Sequence, residues 1–179
     1  KNYADDYEER GYKIVRYDVE DNKDNKDKIK DCDIVFIAVP TPTTPTGFDY
    51  SIIEDVLSLV GKGKTAVIKS TIQIGTTKKL QIKYRDITIM HHPDRNIIGI
   101  TDIDNKEIYT KAEQVLETLP KAHYHLIADV NNAEMIKYGG NCWFYFKVVF
   151  MNILYDLAQQ HGLDYETIKE GMAHDSRIG

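Results

Sequence analysis

The sequence predicts an α/β domain on a mostly parallel sheet, followed by one long helix. Three observations carry that expectation. Short apolar runs alternate with stretches of helical spacing along most of the chain, the pattern of strands joined by crossover helices. Residues 33–39 (D-I-V-F-I-A-V) are apolar at almost every position, which is how a strand covered on both faces reads. Residues 131–161 then keep helical spacing until Gly162.

Taken in order, residues 2–12 read as the end of a helix stopped by Gly11, so the chain is expected to begin inside a domain. Residues 13–19 (K-I-V-R-Y-D-V) read as a short strand ending in acid. Residues 20–33 alternate Asp with Lys. Their signs cancel, which suits a solvated loop and helix surface. The strand at 33–39 stops at Pro40. Ile52, Ile53, Val56, Leu57 and Val60 share one helical face of 49–60. Residues 64–69 are a strand, 76–83 a short helix after Gly75, and 86–90 and 96–100 are short strands. A helix at 105–119 ends before Pro120, a strand follows at 123–127, and a last helix covers 165–172.

The chain has 179 residues, 42% apolar and 28% charged, enough for one or two cores. A net charge of −5 and a pI near 5.7 offer nothing to nucleic acid or to an anionic membrane. No apolar run reaches the ~20 residues of a membrane span, and no signal-peptide pattern opens the chain. Cys32 and Cys142 do not make a disulfide framework, so a reducing, cytoplasmic setting is expected.

Ligands of parallel α/β sheets gather at the carboxyl ends of strands, so the residues leaving those ends come first. Asp18 ends the first visible strand, where an acid suits ribose hydroxyls; a turn or helix cap is the plainer reading. Val39, Pro40, Thr41 and Pro42 follow the buried strand. Two prolines stiffen that loop for the flank of a flat cofactor, or simply for a tight connection. Ser70 and Thr71 leave the next strand ahead of Gly75-Thr76-Thr77. Their hydroxyls suit a phosphate, a ribose or a water, and equally a helix cap.

Lys137 and Asn141, in A-E-M-I-K-Y-G-G-N, lie four residues apart on the long helix and so on one face. An ammonium beside a carboxamide suits an oxyanion or a held water; it is also an ordinary polar pair. Gly139 and Gly140 between them each cost roughly 1 kcal/mol in a helix, which predicts a close approach at that face. The helix beyond, with Trp143, Phe144, Phe146, Val148, Val149, Phe150, Ile153, Leu154 and Leu157, is apolar nearly all round. It is expected to be buried, against a second domain or a dimer partner. His91-His92 and the pair His123/His125 are metal ligands by type only, since no partner completes a spacing. Cys32 reads as a small apolar filler, and Cys142 points about 100° away from Asn141 and is not read as a nucleophile.

Five segments together resemble the UDP-glucose/GDP-mannose dehydrogenase family: D-I-V-F-I-A-V-P-T-P at 33–42, I-K-S-T at 68–71 with Gly75-Thr76-Thr77, P-D-R-N-I-I-G at 93–99, A-E-M-I-K-Y-G-G-N at 133–141 and D-S-R-I-G at 175–179. Their order and spacing match over nearly the whole chain. The resemblance implies a Rossmann-like doubly wound parallel sheet over 1–128. A central helix and the start of a substrate-side region follow over 129–179, leading to a second domain that the chain does not contain. It implies NAD as cofactor, a UDP-sugar as substrate, and a homodimer through the central helix. The implied reaction oxidises a sugar C6 alcohol to a carboxylate, with UDP-glucose favoured by the D-S-R-I-G tail. Two hydride transfers pass through a thioester. Asp18 is then implied in ribose binding, and Val39, Pro40, Thr41, Pro42 and Ser70 in contacts with NAD. The resemblance likewise implies that Thr71 holds the catalytic water, that Lys137 and Asn141 stabilise the oxyanion, and that Arg177 touches substrate phosphate.

The sequence also departs from that pattern. The first strand with its G-x-G-x-x-G turn, the P-E-F-L segment with its Glu before Pro93, and the catalytic cysteine are not in it. Two other readings therefore stay open. One is a β-hydroxyacid dehydrogenase of the 6-phosphogluconate or hydroxyisobutyrate type; the other is a non-catalytic remnant that only dimerises or binds nucleotide.

Overall fold

Strand residues alternate between the two faces of a sheet, so a strand that is apolar throughout needs a layer on each side. The computed structural model, which describes residues 3–45, 47–94 and 96–178, supplies both. In chain order the elements are α1 (Tyr3–Glu9), a 3-10 helix (Lys23–Asp31), β1 (Ile34–Ile37), β2 (Thr43–Thr44), β3 (Gly47–Phe48), α2 (Ser51–Leu57), β4 (Thr65–Ile68), α3 (Thr76–Lys83), β5 (Thr88–His91), β6 (Ile97–Ile100), α4 (Lys106–Thr118), β7 (Leu126–Asp129), α5 (Val130–Gln160) and α6 (Tyr165–Ala173). Five strands form one sheet in the order β1-β4-β5-β6-β7. All neighbours are parallel except β5 and β6, which pair antiparallel with His91 opposite Gly99.

Alternation splits the core in two. Ala66, Ile68 and Ile89 join Ile37 against Ile53 and Leu57 of α2 and Leu80 of α3. Val67, Met90, Ile98 and Ile100 face the other way, onto Tyr7 of α1 and Ala112 and Val115 of α4. The sheet is thus wound on both faces, as the sequence pattern predicts. Helix starts follow their caps: the Asn105 side chain accepts the Glu107 and Ile108 N–H groups at 3.0 and 3.2 Å.

Four expectations change. Residues 13–19, expected as a strand, pair with no strand among the described residues. A strand needs a ladder partner, and this stretch is held by other means. Asn25 donates to the Arg16 carbonyl at 2.9 Å, Arg16 bridges Asp5 and Glu8, and Ile14 packs on the core. Second, Ile34, Val35 and Phe36 pack on the cores of both faces yet stay half-buried, because β1 lies at the edge of the sheet, paired with β4 alone among the described residues. The fully buried runs are β4 and β5. Third, the strand expected at 123–127 forms at Leu126–Asp129, where the register with Ile97–Ile100 places it. His123 and His125 therefore precede it, exposed, and share no strand face. Fourth, β2 and β3 form a small hairpin that the Thr- and Pro-rich stretch did not announce. It turns through Gly47 at φ 123°, and Thr44 Oγ1 donates to the Gly47 carbonyl at 2.7 Å.

The chain divides into two compact units between Tyr138 and Gly139, inside α5. The reason lies in the first turns of α5: Val130, Ala133 and Glu134 are each fully buried against the first unit. In the second unit Gly162, at φ 66°, closes the helix. Asp164 caps α6 by accepting the Glu166 N–H at 3.1 Å, and Tyr155 meets Tyr165 edge-on at 5.1 Å. Trp143, Phe144, Tyr145, Phe146 and Phe150 are exposed, so this chain does not itself bury the apolar helix as expected. The crowding expected at Gly139 and Gly140 is also missing: a Cβ at either would meet nothing within 4 Å.

Candidate active site

The parallel strands β1 and β4 end side by side, and the loops that leave them are locked together. Ser70 Oγ accepts the Val39 N–H at 2.9 Å and donates to the Val39 carbonyl at 2.7 Å. Thr41 Oγ1 donates to the Thr71 carbonyl at 2.7 Å. Pro40 and Pro42 fix the φ angles between these bonds. The hydroxyl hydrogens of Ser70 and Thr41 are thus spent on holding the rim. What the rim offers a ligand is a stiff backbone edge.

Beyond Thr71 the chain turns through Gly75, at φ 88°, into α3. Gly75 gives α3 no side-chain cap. The cap comes instead from α5: Glu134, 0% exposed, accepts the Gly75 N–H at 2.5 Å and the Thr77 N–H at 2.8 Å. Lys78 adds an ion pair to Asp129 at 2.7 Å, and its ammonium holds the Asp129 carboxyl below the usual carboxylate range. The Asp129 side chain also accepts the Asn131 N–H at 2.9 Å, at the start of α5.

One turn after Glu134, Lys137 points to the β5–β6 turn. Its Nζ donates to the Pro93 carbonyl at 2.9 Å and to Asp94 Oδ2 at 2.7 Å, with 18% of the side chain exposed. His91 and His92 lie at the end of β5, 0% and 1% exposed. His92 Nδ1 lies 2.9 Å from the Ile97 carbonyl; neither ring nitrogen of His91 has a hydrogen-bond partner among the described residues. Burial, with the nearby Lys137 charge, pushes His91 down to about 4, and burial lowers His92 as well.

The structure therefore brings Val39, Pro40, Thr41, Pro42, Ser70 and Thr71 into one rim and joins it, through Glu134, to the turn that carries Lys137. Asp18 stands elsewhere in the bonding pattern. It closes its own turn, its carboxylate accepting the Glu20 N–H at 2.9 Å. Asn141 lies further along α5, in the second unit. Arg177, also in that unit, is turned onto Asp175, with Nε and Nη on the carboxylate at 2.9 and 2.6 Å. Sequence reasoning missed Glu134. The signal was present: Val130, Ala133, Glu134 and Lys137 fall at i, i+3, i+4 and i+7, so an acid sits on the buried stripe.

A doubly wound sheet with polar loops at the carboxyl ends of adjacent parallel strands is the dinucleotide-binding, Rossmann-like class. Known proteins agree. Residues 9–97 match the UDP-glucose/GDP-mannose dehydrogenase family, NAD binding domain, and residues 131–179 match the central domain of the same family. UDP-glucose 6-dehydrogenase TuaD of Bacillus subtilis is 29% identical over 84% of this chain and 38% of its own length. The structure of a UDP-glucose dehydrogenase from Pyrobaculum islandicum superposes with a TM-score of 0.68 at 25% identity, over 88% of this chain and 42% of that one. A GDP-mannose dehydrogenase from Pseudomonas aeruginosa shares the fold, with a TM-score of 0.67 at 24% identity over 96% of this chain and 49% of that one. The chain belongs to the UDP-glucose/GDP-mannose dehydrogenase family. It spans between a fifth and about two fifths of the length of the curated relatives it matches.

The residues present fit one flank of an NAD site. The bonds that pin Val39 and Thr71 give a rigid, hydrogen-bonded edge at the strand ends, as a flat cofactor requires. No helix of the described residues is long and apolar enough to cross a membrane.

Proposed function

We propose that this chain is the cofactor half and catalytic-helix segment of an NAD-dependent nucleotide-sugar 6-dehydrogenase, with UDP-glucose oxidised to UDP-glucuronate. The observation that carries the reading is the joined rim. Thr71 stands on a loop pinned to Val39 and Thr41, and the next turn of that same network leads to a Lys held by two oxygens. When bound, NAD accepts hydride from the sugar. Val39, Pro40, Thr41, Pro42 and Ser70 shape its flank, and Asp18 accepts its ribose hydroxyls. Thr71 orients the attacking water. Lys137, in exchange for Asp94, and Asn141 donate to the substrate oxygen on which charge grows. Arg177 pairs with substrate phosphate in exchange for Asp175. A second copy of the chain packs on the exposed aromatic stretch of α5, giving the homodimer.

The test combines NAD⁺ titration of the chain with an NADH count in the gene product that carries it. Binding of NAD⁺, with two NADH per UDP-glucose, is expected. One NADH from a hydroxy acid, with none from any nucleotide sugar, gives the β-hydroxyacid reading instead. No binding and no turnover gives the remnant. Lys137→Ala should leave NAD⁺ affinity within about twofold while slowing oxidation about 100-fold or more. Unchanged turnover removes the role given to Lys137.

A further inference from the structure

The buried carboxylate of Glu134 has no part in that chemistry, yet it bonds the start of α3, just beyond the Thr71 loop, to the helix that carries Lys137. Its oxygens take the Gly75 and Thr77 N–H groups at 2.5 and 2.8 Å, across more than fifty residues of chain. The first N–H groups of a helix lack internal partners, and an anion there is favoured by the helix dipole. Gly75, at φ 88°, brings no side chain to cap α3, and the acid comes from α5 instead. Removing a carboxylate from water is expensive and is repaid only by short, charge-assisted bonds of this kind.

The placement has a consequence for the site. On one side, the bonds of Glu134 fix the start of α3, and with it the end of the Thr71 loop, which in turn holds Thr41 and Val39. On the other side, Lys137 follows in the next turn of the same helix. The edge-on contact of Phe48 with Tyr138, at 6.4 Å, ties the loop beyond Pro42 to that turn as well.

We propose that Glu134 is a positioning residue that sets the Lys137-bearing turn of α5 against the Thr71 loop. It makes the ammonium and the threonine face one reacting centre at a fixed spacing. The proposal rests on the functional reading above for its purpose, but the tie itself is measurable without cofactor or substrate. Misplacement of a catalytic group by about 1 Å costs on the order of 100-fold in rate, so such a tie has a selectable effect. Lys78–Asp129 also joins α3 to the start of α5, but the Lys78 ammonium caps neither helix, which makes its removal the natural control.

The experiment uses lysine-labelled NMR on the 179-residue chain, with Lys137→Met to assign the Lys137 signal. Glu134→Gln keeps the side-chain shape but turns one acceptor into a donor that faces an N–H. In this variant the Gly75 and Thr77 amides should exchange about tenfold faster or more. The Lys137 side-chain resonance should shift, and NAD⁺ binding should weaken. Lys78→Met should lower Tm and leave the Lys137 resonance in place. If Glu134→Gln only lowers Tm, with Lys137 unmoved, Glu134 is a structural cap and the proposal falls. If that variant does not fold, the unsubstituted chain decides. Gly75 and Thr77 amides protected about 100-fold support the tie, and amides exchanging at the unprotected rate overturn it. NAD⁺ titration of the unsubstituted chain judges the site separately: no binding removes the functional reading and leaves the NMR result to judge the tie.

Discussion

Two adjacent imidazoles, His91 and His92, show how much a single position can depend on its surroundings. Read along the chain, they are a polar pair at the end of an apolar run. In the fold they are sealed, and His91 has no hydrogen-bond partner for either nitrogen among the described residues. Its neutral form is the only one the site tolerates, hence a value near 4 against the ordinary 6.5. The folded chain then refuses a proton that the unfolded chain takes up between those values. The stability is present above pH 6.5 and is lost as the pH falls towards 4, by up to about 3 kcal/mol. His92 is lowered too and adds to the same slope. Urea unfolding at pH 7 and at pH 4.5 checks this: His91→Leu should lose less stability between the two than the unsubstituted chain. An identical loss in both would show that His91 does not titrate on unfolding.

At the scale of elements, the sharpest constraint is between β6 and the start of α5. A Cβ on Gly99 would stand 2.5 Å from the Ala133 Cβ and 3.0 Å from the Val130 Cα. Neither neighbour is a flexible side-chain end, so the helix must move. Gly99→Ala is expected to cost about 1–3 kcal/mol in chemical denaturation, the usual range for overpacking, whereas alanine at Gly139, where the space is open, should not destabilise the isolated chain. A Gly99→Ala chain as stable as its parent would mean that the two elements do not pack this closely. Elements with strong periodicity, such as α2, α4, α5 and β4, were legible in the sequence because local spacing alone decides them. The stretch at 13–18 and the strand near 123–129 were misplaced because strand identity belongs to a ladder, and a ladder partner is not a local property.

For the molecule as a whole, the unbalanced feature is the exposed aromatic stretch of α5. Trp143 is 58% exposed and Phe146 64%, beside Phe144, Tyr145 and Phe150. Apolar patches of this kind mark contact surfaces. Sedimentation equilibrium at micromolar concentration should find a dimer, and Phe146→Asp should shift it to monomer without loss of helix content. A monomer before substitution removes the homodimer.

What the sequence determined by itself was the α/β class, the order of nearly all helices and strands, and the identity of the residues at the strand ends. All of these follow from periodicity, breakers and short motifs, which act within a few residues. The tertiary structure alone decided that Ser70 and Thr41 spend their hydroxyl hydrogens on the rim. It alone decided that Lys137 is held by Pro93 and Asp94, and that Glu134 caps a helix on another part of the chain. Those facts are hydrogen bonds between segments far apart in sequence. Their geometry exists only once the sheet has set the distance between the loops.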